Sequence, residues 1–353
     1  MFSDIPGKSY FYIDRIDEAD RLVAFFPRVH EHAKATFAFQ RTLRVPDDGR
    51  VYPLPAGLDP FPLRHLEDFK RKLPREWVDR GGVLMPMYRS EAMWIELGDT
   101  YPCAIKIGAG MINVLNGRPW TEQLDGSECD YLTAPPQAAL DGYRTEDDVV
   151  RQFVAVRLGE GWSPEEQIAA EAVHGGIQIV AYPMRRARYL QLRAEHEQHG
   201  GDATGIGWGL SHFAQPEERR PHALAAGGQM RQRIFADPFG IDAWDRSARC
   251  RCIVTLIDVE RWTKVTGALP TKPPFTPDDY QKAGLRWFEY YNSDLKPLEG
   301  PAVDPGQGPP ADDDGAIETG AVKKLRPVRP PRRSRHPSPS VRAFWGAMRL
   351  IRG

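Results

Sequence analysis

The chain has 353 residues, 41% apolar and 10% aromatic, with 47 Lys and Arg against 48 Asp and Glu. This composition excludes a wholly disordered or collagen-like chain, and no apolar run approaches the roughly 18–20 residues of a membrane-spanning helix. The near-neutral total hides a partition: ten Lys and Arg and no acid lie in residues 321–353, leaving 37 basic against 48 acidic residues in 1–320. An acidic body with a basic arm is drawn to anionic surfaces.

Met1–Tyr10 lacks a basic start followed by an apolar run, so no secretory leader is expected. Cys103, Cys129, Cys250 and Cys252 show no framework spacing, which suits a soluble, reduced, cytoplasmic protein.

In chain order, residues 1–35 read as an N-terminal extension, with a helix over Ile13–Phe26. Thr36–Val45 reads as a strand in which Phe37 and Phe39 alternate with Ala38 and Gln40. Pro46-Asp-Asp-Gly49 is a turn signature, and Val51–Leu54 is expected to return as a hairpin partner. Leu63–Leu73 reads as a helix closed by Pro74. Gly81–Pro86, Ala92–Leu97, Cys103–Ile107 and Met111–Leu115 then read as three or four antiparallel strands, with Asn116-Gly117 as a turn.

Val149–Val156 and Ile177–Tyr182 are further strands. Between them, Ser163 and Glu166 have the spacing of a capping box at the start of a helix over Ser163–Ala172. Arg185–His199 reads as an exposed helix, Asp202–Gln229 as an irregular loop and Arg251–Ile257 as a strand. Glu260–Thr266, Pro277–Ala283 and Leu285–Tyr291 read as short helices. Residues 296–337 have linker composition, rich in Pro and Gly and then in Pro and Arg, and are expected to be disordered.

Six segments carry a resemblance: Met87–Trp94 (MYRSEAMW), Ala104–Asn113 (AIKIGAGMIN), Val150–Val154 (VRQFV), Gly175–Ile179 (GGIQI), Asp237–Trp244 (DPFGIDAW) and Leu285–Tyr290 (LRWFEY). Together, over about residues 36–295, the chain resembles a family of uncharacterised microbial proteins. That resemblance implies no activity and no catalytic residues.

Few groups in the body point to chemistry. Asp237, Asp242 and Asp245 surround Pro238 and Gly240, and three carboxylates in a turn can ligate a hard cation. Turn-forming Asp residues account for the same pattern. His196, His199, His212 and His222, joined by Cys250 and Cys252, form a second metal pattern, against which stands the ordinary occurrence of His on polar helices. Glu171 and His174, three apart before Gly175-Gly176, have the spacing of an acid/base pair or of a loop cap. Glu91 and Lys106 on neighbouring strands are expected to face solvent as a cross-strand pair. No metal and no cofactor is expected.

The sharpest local pattern is at the C-terminus. Val341, Phe344, Trp345, Met348 and Ile351 recur within an arc of about 120° on a helix over residues 338–353. Upstream, Arg332, Arg333 and Arg335 lie in a Pro/Arg arm. A protein assembly fits this face as a groove for an amphipathic helix, and an anionic membrane fits it peripherally, with no transmembrane span. Nucleic acid, held through phosphates by Lys323–Arg335, is less favoured.

The expected architecture is therefore α+β and β-rich: an antiparallel sheet or sandwich over residues 36–295 with peripheral helices and a disordered C-terminal tail. The expected function is a non-catalytic binding or structural module docked through its tail. The alternative is a hydrolytic or metal-assisted enzyme with its site near Glu171/His174 or Asp237/Asp245.

Overall fold

A computed structural model describes residues 8–16, 19–98, 101–127, 129–146, 148–168, 175–198, 222–269 and 272–274. The first strands are β1 (Tyr10–Ile16), β2 (Ala19–Phe25), β3 (Lys34–Thr42), β4 (Val51–Tyr52), β5 (Asp59–Pro60) and β6 (Arg64–His65). There follow β7 (Val83–Met87), β8 (Ala92–Gly98), β9 (Cys103–Ala109), β10 (Ile112–Asn113), β11 (Leu132–Ala134) and β12 (Ala139–Leu140). The last are β13 (Gly142–Glu146), β14 (Val149–Arg157), β15 (Ile177–Pro183), β16 (His222–Arg231) and β17 (Cys250–Asp258). Among the described residues, four α-helices accompany them: α1 (Arg75–Arg80), α2 (Pro164–Ile168), α3 (Arg186–Gln198) and α4 (Val259–Thr266).

Among the described residues, the strands form two sheets. One runs β1-β2-β3-β8-β14-β16-β4, with β5, β12 and β13 added at β3, β8 and β14. The other runs β10-β9-β15-β17-β7-β6, with β11 added at β9. The fold is β-rich α+β, as expected, but each sheet is mixed: β4 joins β16 and β7 joins β17 in parallel. A single buried cluster draws Phe37, Phe39, Ile95 and Phe153 from the first sheet and Ile107, Ile179, Val254 and Leu256 from the second. Each such side chain taken from water contributes about 1.5–3 kcal/mol.

Several local expectations are corrected. Ile13–Phe26 is not a helix; β1 and β2 pair antiparallel from Tyr10↔Phe25 to Ile16↔Ala19, and β2 pairs with β3. β1 and β2 thus extend the ten-stranded sheet, and the boundary expected at residue 35 falls inside β3. The β-branched and aromatic residues of this stretch satisfy a strand as well as a helix, and the neighbouring β3 decides. Val51 does not fold back on β3 but pairs with Gln229 of β16. Leu63–Leu73 forms β6 and a 3-10 turn over Leu66–Phe69 instead of one helix, and Pro74 is the N-cap of α1. The consecutive strands β7, β8 and β9 do not make a meander, because the chain crosses from the second sheet to the first and back.

The last eight residues of the loop expected over Asp202–Gln229 belong to strand β16. Its glycines mark close packing: a Cβ on Gly227 would stand 2.5 Å from Val154 Cγ2, and one on Gly228 would stand 2.2 Å from Pro46 O. Other expectations hold. Ser163 and Glu166 form the capping box at α2, with Ser163 Oγ donating to Glu166 Oε2 at 2.6 Å and Glu166 N–H to Ser163 Oγ at 3.3 Å. Helix α4 is capped by Asp258, whose carboxylate accepts from Arg261 N–H at 2.8 Å, and it buries Val259, Trp262 and Val265. Pro277–Ala283 and Leu285–Tyr291 lie outside the described residues.

Candidate functional site

The Asp237–Asp245 turn is the sequence candidate that the structure describes most fully. It follows β16 and leads into β17. Asp237 Oδ2 accepts from Tyr131 O–H and from Trp244 Nε1–H, both at 2.8 Å, and its Oδ1 accepts from Phe239 N–H at 2.8 Å. Trp244 is fully buried, and Phe239 packs edge-on against it with ring centroids 5.7 Å apart. Burial and the neighbouring Asp237 carboxylate push the Tyr131 phenol well above its ordinary pKa. Asp245 Oδ1 accepts from Ser247 N–H at 3.0 Å and Ser247 O–H at 2.6 Å, an Asx turn. Asp242 is exposed on the 3-10 turn Ile241–Ala243. The two end carboxylates are thus spent on a buried indole, a phenol and a turn. Among the described residues, no group of three or more His, Cys, Asp or Glu is placed to hold a metal ion.

Glu171 and His174 lie outside the described residues, as do His199 and His212. Of what surrounds that segment, Glu165 is informative. It is buried on α2, and its Oε2 accepts from Gly175 N–H at 3.1 Å. Gly110, at φ +56°, faces it so closely that a Cβ there would stand 2.0 Å from Glu165 Oε2. Gly110 N–H donates to Gly176 O at 2.9 Å, and Gln178 Nε2 donates to Gly110 O at 2.7 Å. Gly110 and Gly175 therefore cradle one carboxylate, while Gly108 lies against the Trp120 ring and Gly176 against Val254 O. Glu165, 55 residues from Gly110, carried no sequence signal for this contact.

Glu91 and Lys106 are both buried, against the expectation of a solvent-facing pair, and they do not meet. Glu91 pairs with Arg41. Lys106 pairs with Asp130, donates to Thr121 Oγ1 at 2.9 Å and lies 5.9 Å from the centroid of the Trp120 ring. Burial raises the Asp130 carboxyl above its usual range, with Lys106 opposing that shift. Cys250 and Cys252 share the buried face of β17 while Arg251 between them is exposed. Burial pushes the Cys252 thiol up to about 12, so it stays protonated.

Asp141, between β12 and β13, carried no sequence signal. Its Oδ1 accepts from Gln232 Nε2 at 2.6 Å and its N–H donates to Gln232 Oε1 at 2.9 Å. Burial pushes its carboxyl up to about 7. A cleft of about 130 Å³ lies between Arg15, Asp20, Asp59 and Arg64. It is below the roughly 300 Å³ at which small-molecule pockets begin, and neither Asp237 nor Asp245 lines it. Val341, Phe344, Trp345, Met348, Ile351, Arg332, Arg333 and Arg335 lie outside the described residues. Among the described residues no helix is long and apolar enough to cross a membrane.

No family model, curated protein or solved structure matches the chain.

Proposed function

We propose that the protein is a non-catalytic binding or structural module, held by its basic amphipathic segment 338–353 to a protein assembly or an anionic membrane surface. The observation that carries this reading is the segregation within the tail: five large apolar residues share one arc, while ten Lys and Arg and no acid lie in 321–353. A helix this short is marginal in isolation and gains stability by covering its apolar stripe. The body supports the reading from the other side, since Asp237 and Asp245, the acids that would serve a metal-assisted enzyme, are engaged in structural hydrogen bonds.

The test compares the full chain with one ending at Pro337. Both unfold at the same temperature, and only the full chain binds. Sedimentation with phosphatidylserine vesicles that is lost in high salt identifies a membrane; salt-resistant binding to one purified protein identifies an assembly. A truncated chain that fails to fold, or that binds as the full chain does, overturns the proposal.

A further inference from the structure

Arginine is unevenly spread over the body. Residues 184–194 hold four arginines and no acid, and residues 246–251 hold three and no acid. The fold joins the two segments. Asp245 N–H donates to Pro183 O and Arg185 N–H to Ala243 O, each at 2.8 Å, and Met184 bridges to Trp244. Arg185 Nε donates to Asp242 O at 2.9 Å. Arg185, Arg186, Arg246, Arg249 and Arg251 are exposed along this rim of the seven-stranded sheet. Five acids accompany the seven arginines: Asp242, Asp245, Glu195 at 3.6 Å from Arg188, Glu197 on the same helix, and Glu122 at 2.6 Å from Arg251 and 3.5 Å from Arg249. The rim is thus cationic on a body that is anionic as a whole. Clustered guanidiniums repel one another until an anion joins them, and their planar forks suit carboxylates.

The chain outside the described residues offers one matching stretch. Residues 297–320 carry six acids (Glu299, Asp304, Asp312, Asp313, Asp314 and Glu318) and no Lys or Arg. Residues 199–221 are nearly balanced, with three acids and two arginines, and 321–353 are basic. Reach is no obstacle. From Pro274 to Asp312 an extended chain spans on the order of 120 Å, several times the radius of a domain this size. Tethering also gives the acidic stretch an effective concentration near the millimolar range.

We infer that residues 297–320, chiefly Asp312–Asp314, dock in cis on the arginine rim formed by α3 and residues 246–251. The contact fixes where the basic tail leaves the body. It does not depend on what the tail binds.

The test is energy transfer between dyes at Ala187→Cys on α3 and Ala316→Cys, in the full chain with Cys129→Ser as background. At about 50 mM salt, transfer is high, and it falls about twofold at about 500 mM. It falls likewise on Arg186→Glu with Arg246→Glu, and on replacing Asp312, Asp313 and Asp314 by Asn. This last variant leaves the rim untouched, so it reads the contact whatever the arginine substitutions do to α3. Combining the two Glu substitutions with Lys at 312–314 restores transfer. Indifference to salt and charge overturns the inference, as does a swap that fails to restore transfer. Transfer abolished by excess unlabelled protein assigns the rim to a second copy instead. Vesicle binding that falls on Arg186→Glu/Arg246→Glu while transfer does not assigns it to a lipid surface.

Discussion

Arg41 and Glu91, fifty positions apart in sequence, form an ion pair in which each side chain is only 1% exposed. Arg41 Nε donates to Glu91 Oε1 at 2.6 Å, Arg41 Nη2 donates to Lys272 O at 2.8 Å, and Tyr88 N–H donates to Glu91 Oε2 at 2.9 Å. The guanidinium also lies 5.4 Å from the centroid of the Phe61 ring. The pair therefore ties β3, the turn before β8 and the chain beyond α4 into one interior contact. Burial raises the Glu91 carboxyl and Arg41 opposes that rise.

Breaking such a pair on one side leaves an uncompensated buried charge. Arg41→Met is expected to cost about 3–5 kcal/mol of stability, whereas Arg41→Met with Glu91→Leu recovers much of the loss. Urea unfolding of the two singles and the double measures this. Additive costs would show that the two residues act independently.

The Asp141 carboxyl, raised to about 7 in the folded state, makes stability depend on pH. Below about pH 4 folded and unfolded chains both hold this proton. From there to about pH 7 only the folded chain keeps it, so its contribution falls as the pH rises and is lost above pH 7. The loss is on the order of 4 kcal/mol. Asp141→Asn should remove that slope and exceed the parent in stability at pH 8, while keeping the acceptor for Gln232. Asp130 and Glu91 titrate with the same sign, so the difference between variant and parent is the quantity to follow from pH 4 to 8.

Gly110→Ala and Gly240→Ala separate crowding from backbone preference. Both glycines have positive φ, but a Cβ meets nothing within 4 Å at Gly240 and meets the Glu165 carboxylate at Gly110. The Gly240 variant should lose about 1–3 kcal/mol, the cost of an L-residue at φ +78° and ψ 153°, a conformation almost confined to glycine. The Gly110 variant should lose more than that, because Glu165 is buried and bonded to Gly175. Equal melting temperatures for the two variants would count against the cradle.

Asp237→Ala leaves the Tyr131 hydroxyl and the Trp244 indole N–H without their acceptor and is expected to cost about 2–4 kcal/mol. Ca²⁺ or Mg²⁺ should leave the melting temperature of the parent unchanged. A rise with either ion would show that the turn's carboxylates ligate metal and would revive the enzymatic alternative.

Much of the fold was legible where the pattern was local. Strands β3, β14, β15 and β17 stand out by alternation and β-branched content, and the Ser163/Glu166 box by spacing; helix α4 was read over Glu260–Thr266, without its Asp258 cap. Legibility failed where a segment satisfies two local patterns. Ile13–Phe26 and Leu63–Leu73 read as helices, and β16 read as loop because glycines that permit contact with Val154 and Pro46 look like glycines that permit turns. For the sites, Asp237 and Asp245 were visible as turn residues, but the indole and phenol that engage Asp237 were not. Glu165 and Asp141 were missed because their partners, Gly110 and Gln232, lie 55 and 91 positions away.

The sequence by itself determined the charge partition, the apolar stripe of residues 338–353 and the β-rich character of the body, because each rests on composition or on periods of a few residues. Only the tertiary structure decided which sheet each strand joins, that Glu91 pairs with Arg41 and Lys106 with Asp130, and that two acidic turn residues serve packing and turn formation. Sheet membership and buried pairing depend on contacts between distant segments, and many alternative pairings share the same local pattern until one shared core selects among them.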